Sequence, residues 1–320
     1  MTSLMEKGLD GLRVTRAGPL ALLQDAGRFG VRHLGVTQGG PADLHAWAWA
    51  NRLTGNAWGN SALEITFGGL ELVAERVMTL AITGADLGAW HNQQQAPYWR
   101  SFQVKPGDTL TFATPVNGLR AYLAVAGGFH AEAVLGSTAC VVREQLGGID
   151  GLGRSLQQGD RLMLQKAPRQ TGEAQTPSSE IIDYTADATL DCLPGAQIAA
   201  FSGKSVFDAF NSDWQVDQRT DRMGVRLLGP TLRCRIDSMV SEGISLGAIQ
   251  VPPDGQPIAL LNDRQTIGGY PRLGNLTPLA ASRLAQCQPG QTVRLRAVDA
   301  DEAQHQHRQF LNRFKTRDKA

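Results

Sequence analysis

Apolar and polar positions along this chain change period often and over short distances. Residues 70–73, 78–82, 109–112, 121–126 and 161–164 alternate or run apolar between Gly-containing turns, the pattern of short strands. One early stretch breaks that rhythm. Pro41 follows Gly40, then Leu44, Trp47 and Ala48 recur at helical spacing before Gly55 and Asn56, which predicts a helix over residues 41–53. Further strands are expected at 231–236 and 257–261, and a second helix opens at Thr277–Pro278 and ends before Gln288-Pro289-Gly290. From Asp299 the capping-box spacing to Glu302, with Ala303, Phe310 and Phe314 on one stripe, predicts a C-terminal amphipathic helix. The phrase KPGDTL at Lys105 is echoed by QPGQTV at Gln288, each a Pro-Gly turn feeding a strand.

Residues 167–179, APRQTGEAQTPSS, have no hydrophobic period and are rich in Pro, Gln, Ser and Thr, so they read as a linker. The chain then divides into residues 1–166, the linker, residues 180–297 and a terminal helix over 298–320. A length of 320 residues suits one large or two ordinary domains, and 36 glycines with 15 prolines among short apolar runs favour a mainly β, α+β protein over a helix bundle. With 31 Lys and Arg against 30 Asp and Glu, no positive field is concentrated enough to suit nucleic acid. The four cysteines form no C-x-x-C pair, which fits buried thiols in a reducing compartment. Glu6 and Asp10 occupy the place of a signal-peptide apolar stretch and no run is long enough to span a bilayer, so the expectation is a cytoplasmic protein without membrane contact.

Composition leaves the chemistry to local clusters. Gly203-Lys204-Ser205 resembles the end of a P-loop, but position 198 is Ile where the first glycine belongs, and no helical pattern is evident after it; a solvated turn is expected. GGIDGLG at 147–153 has the wrong glycine order for a dinucleotide fingerprint, no G-x-S-x-G elbow occurs, and the histidines are scattered, so no metal site is expected. QDAGRFG sets Asp25 and Arg28 around two glycines: either Asp25 caps local N–H groups and Arg28 pairs with it, or both face a ligand. At the end of the 257–261 strand, Asn262-Asp263-Arg264-Gln265-Thr266 precede Gly268-Gly269-Tyr270, which suits a small polar ligand or an exposed hairpin connection. Gln250 beside Pro252 and Arg222 in DRMG are further candidates, the latter also readable as an ion-paired turn.

QDAGRFG, GVTQGGPADLHAWAWANRLTGN, ALEITFGG, YLAVAGG with LGS, DRMGVRLLGP, SEG, GAIQVPPDGQPIALLNDRQTIGGYPRLG and LAQCQPG follow one another from about Gly11 to Gln291. In this order they resemble a family of biotin-dependent-carboxyltransferase-like proteins, that of the 5-oxoprolinase C subunit, KipA and allophanate hydrolase subunit 2. The segment after Gly136-Ser137 reads TAC, where relatives show a Ser-Thr-Asp-like ending. The resemblance implies two cyclophilin-like β-barrel subdomains, the first carboxyltransferase-like, and a KipI-like B subunit as partner. With an A subunit, the complex would use ATP with Mg to open 5-oxoproline to glutamate, this chain being inactive alone. Within that reading Asp263, Gln265 and Arg222 would be catalytic, and Asp25, Arg28, Gln250 and Tyr270 would bind a small amide or lactam. Two other roles are implied: a urea-amidolyase-type carboxyltransferase, with biotin arriving on another chain, and a Kip-type regulatory binding protein. The Asp25–Arg28 turn and the Asp263–Tyr270 loop are expected to line one cleft.

Overall fold

In the first half of the chain, short apolar runs pair into two antiparallel sheets. The protein is seen here in a computed structural model that describes residues 9–166, 172–236 and 239–315. One sheet has the order Arg161–Leu164, Leu9–Arg16, Glu71–Ala74, Thr109–Phe112, Ala89–His91, Gln94–Gln95; the other runs Leu20–Gln24, Ala62–Thr66, Arg120–Val125, Met78–Gly84, Arg100–Val104. Leu12, Val14 and Leu72 of the first sheet meet Leu63, Leu80 and Leu123 of the second in a shared core. Met78–Gly84 and Arg120–Val125 are buried at every position because the far face of their sheet is covered by helix α1, Leu44–Leu53. Helix α1 starts at Leu44 rather than Pro41, because Asp43 caps it by accepting from the Ala46 N–H at 3.0 Å.

The second half closes into a barrel. Around it run Ala188–Pro194, Arg272–Leu276, Ala248–Gln250, Ile258–Leu260, Gly224–Leu228, Trp214–Thr220 and Thr292–Ala297, the last pairing parallel with the first. Leu190, Trp214, Val225, Ile249 and Leu295 belong to its core. Thus the mainly β fold expected from the sequence is present, with a closed barrel in the second half and two facing sheets in the first.

Two local expectations are corrected. Gly203-Lys204-Ser205 is not a turn: it opens helix α2, Gly203–Asn211, whose cap is Ser202 accepting from the Ser205 N–H at 3.1 Å. The polar first turn hides the helical period until Val206 and Ala209, while Lys204 reaches Asp208 one turn on. Residues 231–236 form no strand beyond a single bridge at Cys234, because their backbone groups bond loops instead: Leu232 N–H to Gly255 O and Arg235 N–H to Ala200 O. Helix α3, Pro278–Ala285, starts at the Thr277 cap, and helix α4, Ala300–Lys315, starts where Asp299 accepts from the Glu302 N–H at 2.8 Å. Phe310 and Phe314 of α4 pack with Trp49 and Trp58 in a third cluster over α1.

Of the 167–179 linker, residues 167–171 lie outside the described residues. Beyond them the backbone is pinned rather than free: Ser101 N–H donates to Ala174 O at 2.8 Å, and Thr176 N–H donates to Trp99 O at 2.9 Å.

Candidate functional site at the junction of the two halves

Residues 38–41, Gln-Gly-Gly-Pro, thread between the two halves, and the predicted clusters meet on them. Gly40 has φ of +89°, and a Cβ there would lie 3.1 Å from Gly27 Cα, so only glycine lets this segment lie against the 25–28 turn. From the first half, Arg28 N–H donates to Gln38 O at 2.7 Å. From the barrel, Asn262 Nδ2 donates to Gly39 O at 3.2 Å and Pro41 O at 3.0 Å, and Arg222 Nη2 donates to Gly40 O at 2.8 Å.

Each charged candidate has a protein partner. Asp25 caps Gly27 N–H at 2.9 Å as expected, and also accepts from Ser137 Oγ at 2.6 Å and Thr138 N–H at 2.7 Å. The TAC segment therefore holds that turn. Arg28 does not pair with Asp25. It is fully buried and donates to the carbonyls of Val134, Ser137 and Ala139, and burial lowers its pKa against the pull of Asp25 and Glu144.

Arg222 and Asp263 form a bidentate pair, Nε to Oδ2 at 2.9 Å and Nη2 to Oδ1 at 3.0 Å, and Arg222 Nη1 continues to Glu64. Glu64 is buried and also accepts from Ala42 N–H and the Tyr122 hydroxyl. Burial works against its charge, yet Arg222 and Arg120 hold its pKa low; Asp263, with fewer partners, is pushed up by burial against the pull of Arg222. DRMG is thus an ion-paired segment whose arginine rivets the barrel to the first half. Asp263 is 6% exposed and not solvent-facing, since the strand before it ends inside this joint.

In front of the joint lies a cavity of about 230 Å³. Ala26 of the 25–28 turn, its neighbour Phe29, Gln38, Pro41 and Asn262 contribute to its wall, but no residue of the 263–270 loop does, so the turn and that loop do not line this cavity together as expected. Trp58, Ser282 of α3, and His307, Leu311 and Lys315 of α4 complete it. Gln250, Gln265 and Tyr270 do not belong to this wall. Gln250 is buried beneath Gly268, and Gln265 and Tyr270 are exposed. Gln38 stood only within the GVTQGGPADLHAWAWANRLTGN block, with no role assigned to it, and the α4 residues carried no chemical signal in the sequence; only packing places them here.

Residues 34–297 match the family described as "Carboxyltransferase domain, subdomain A and B". The chain belongs to this family. It is 36% identical over 288 residues to the C subunit of 5-oxoprolinase from Haemophilus influenzae, covering 88% of this chain and 90% of that one. To the corresponding C subunit from Escherichia coli it is 37% identical over 306 residues, covering 93% and 96%. The crystal structure of the K. lactis urea amidolyase superposes with a TM-score of 0.88 at 25% identity over 97% of this chain, which spans 20% of that larger protein. The cavity lies within the matched range except for Ala26 and Phe29, which precede residue 34, and its α4 wall, which follows residue 297.

Proposed function

We propose that the chain is the C subunit of an ATP-dependent 5-oxoprolinase, acting with A and B subunits to open 5-oxoproline to glutamate. The observation that carries this reading is the end-to-end similarity to two 5-oxoprolinase C subunits, about nine-tenths of each being covered. ATP with Mg, when bound in such a complex, supplies phosphoryl activation of an otherwise unreactive lactam oxygen. The residues of this chain do not fit that group: Gly203-Lys204-Ser205 begins a self-capped helix and, among the described residues, no cluster of three metal-ligating side chains exists. In this reading the nucleotide sits on a partner, and the chain is inactive alone. What it offers is the cavity. Phe29, Pro41 and Trp58 give it apolar walls that suit a small ring, the Gln38 amide can hydrogen-bond a lactam, and Lys315 can face a carboxylate. Arg222 and Asp263 act by holding the 39–41 wall in place.

A second reading, a carboxyltransferase module acting on urea beside biotin carried by another chain, draws on the family's description and the urea amidolyase likeness. Reconstitution decides between them. With its partner subunits the chain should release glutamate from 5-oxoproline only when ATP is present, and Gln38→Ala should lower kcat/KM at least ~10-fold, the scale of one lost substrate hydrogen bond. Turnover by the chain alone, or activity only with urea and carboxybiotin, would overturn the first reading.

A further inference from the structure

Away from the ion pairs of the joint, a buried arginine and a half-buried one have, among the described residues, no carboxylate within ion-pair distance. Arg264 is 2% exposed; its Nε donates to Ile244 O at 3.3 Å and its Nη1 to Leu261 O at 3.2 Å. Arg32, from the 3-10 turn Arg32–Leu34, donates through Nη2 to the same Ile244 O and to Thr266 O, while its Nη1 is buried without an acceptor. Among the described residues neither guanidinium has a carboxylate within ion-pair distance. Buried Arg222, by contrast, has two carboxylates and Arg120 has Glu64, whereas Arg28 is held by carbonyls. Two like charges meeting at one carbonyl are costly when desolvated. Burial, and then the Arg32 charge, bring the Arg264 guanidinium down to about 9 against the weaker pull of Asp263, and burial lowers Arg32 as well.

The space beside them is open. A cavity of about 640 Å³ is bordered by Arg32, His33, Gly243, Ile244, Ser245 and Thr266. Against the same two-stranded ribbon, Glu242–Gly243 with Ile267–Gly268, Gln250 is only 6% exposed and its Nε2 also lacks an acceptor. A Cβ on Gly268 would lie 2.7 Å from that nitrogen and 2.4 Å from Ile244, so the ribbon is drawn tightly over it. Unspent donors and uncompensated positive charge thus gather around Ile244, with no protein acceptor to absorb them.

We propose that this cavity is a binding site for a small oxyanion, a carboxylate, bicarbonate or phosphate group, held by the Arg32 guanidinium with Arg264 behind it. The planar fork of a guanidinium matches two oxygens of such an anion, and the missing counter-charge is what the anion supplies. The site shares no wall residue with the junction cavity, and its assignment does not depend on the reaction proposed above.

Calorimetric titration of the full chain with inorganic phosphate, bicarbonate and acetate, each at constant ionic strength against a chloride control, tests it. At least one should bind one-to-one and raise the melting temperature, and which one does so identifies the source of the oxyanion. Arg32→Gln should weaken that binding at least ~10-fold, and Arg32→Lys, which keeps the charge without the fork, should weaken it less. Arg16→Gln, an exposed surface control paired with Glu71, should bind as the wild type does. Circular dichroism establishes that each variant is folded. Absence of binding by all three anions above the chloride control, or equal binding by folded Arg32→Gln and wild type, would overturn the proposal.

Discussion

At the scale of single residues, the joint depends on Arg222. Its N–H groups are distributed over Asp263, Glu64 and Gly40 O, three acceptors from three separate stretches of chain. Removing the guanidinium leaves buried Asp263 without a cation and Glu64 with only the more distant Arg120, the costly way to break a buried ion pair. Arg222→Met should therefore destabilise the protein by about 3–5 kcal/mol, read from urea unfolding. The sequence offered a ligand site or an exposed hairpin connection at 262–270, and in either case a polar replacement at 263 would cost little stability. The buried bidentate pair reverses that expectation for Asp263, and a variant there reports on folding before it reports on any reaction.

At the scale of elements, the two Pro-Gly turns show how a short phrase specifies a local structure. Gly107 and Gly290 both have positive φ, of +90° and +84°, and each turn is closed by a side chain three residues on: Asp108 accepts from Lys105 N–H and Gln291 from Gln288 N–H. These contacts span three or four residues, so the sequence carries them directly. Helix α4 is legible for the same reason, from its cap and its Ala303, Phe310 and Phe314 stripe, but what the stripe covers is a tertiary matter. Phe310 lies 6.3 Å from Trp58 and 4.8 Å from Phe314 between ring centroids. Phe310→Ala should cost about 3 kcal/mol and shift tryptophan fluorescence to the red as Trp58 gains water. An unchanged spectrum would mean that α4 does not rest on α1 in solution.

At the scale of the molecule, the halves are joined by more than the covalent chain. Besides the Arg222 rivet, Gln286 at the end of α3 accepts from Leu119 N–H at 3.0 Å and Arg120 N–H at 2.8 Å, and its Nε2 donates to Asp43 at 2.9 Å, which also accepts from the Tyr184 hydroxyl at 2.7 Å. All of these groups are buried. Each half alone would expose polar groups built to satisfy the other, so a chain cut within residues 167–171 should still elute as one particle in gel filtration, while separately expressed halves should aggregate or unfold. The sequence by itself determined the mainly β character, three of the four described α-helices, the Pro-Gly turns and the glycine-bounded loops from which the cavity is built. All of these rest on periodicities and caps reaching no further than a few residues. It did not disclose helix α2, whose polar first turn masks its period, nor the partners of Arg28 and Asp263, and it left open whether Asp25 and Arg222 serve protein partners or a ligand. Tertiary structure alone decided that, because whether a polar side chain faces solvent, a ligand or another buried group depends on chain segments up to about two hundred residues away.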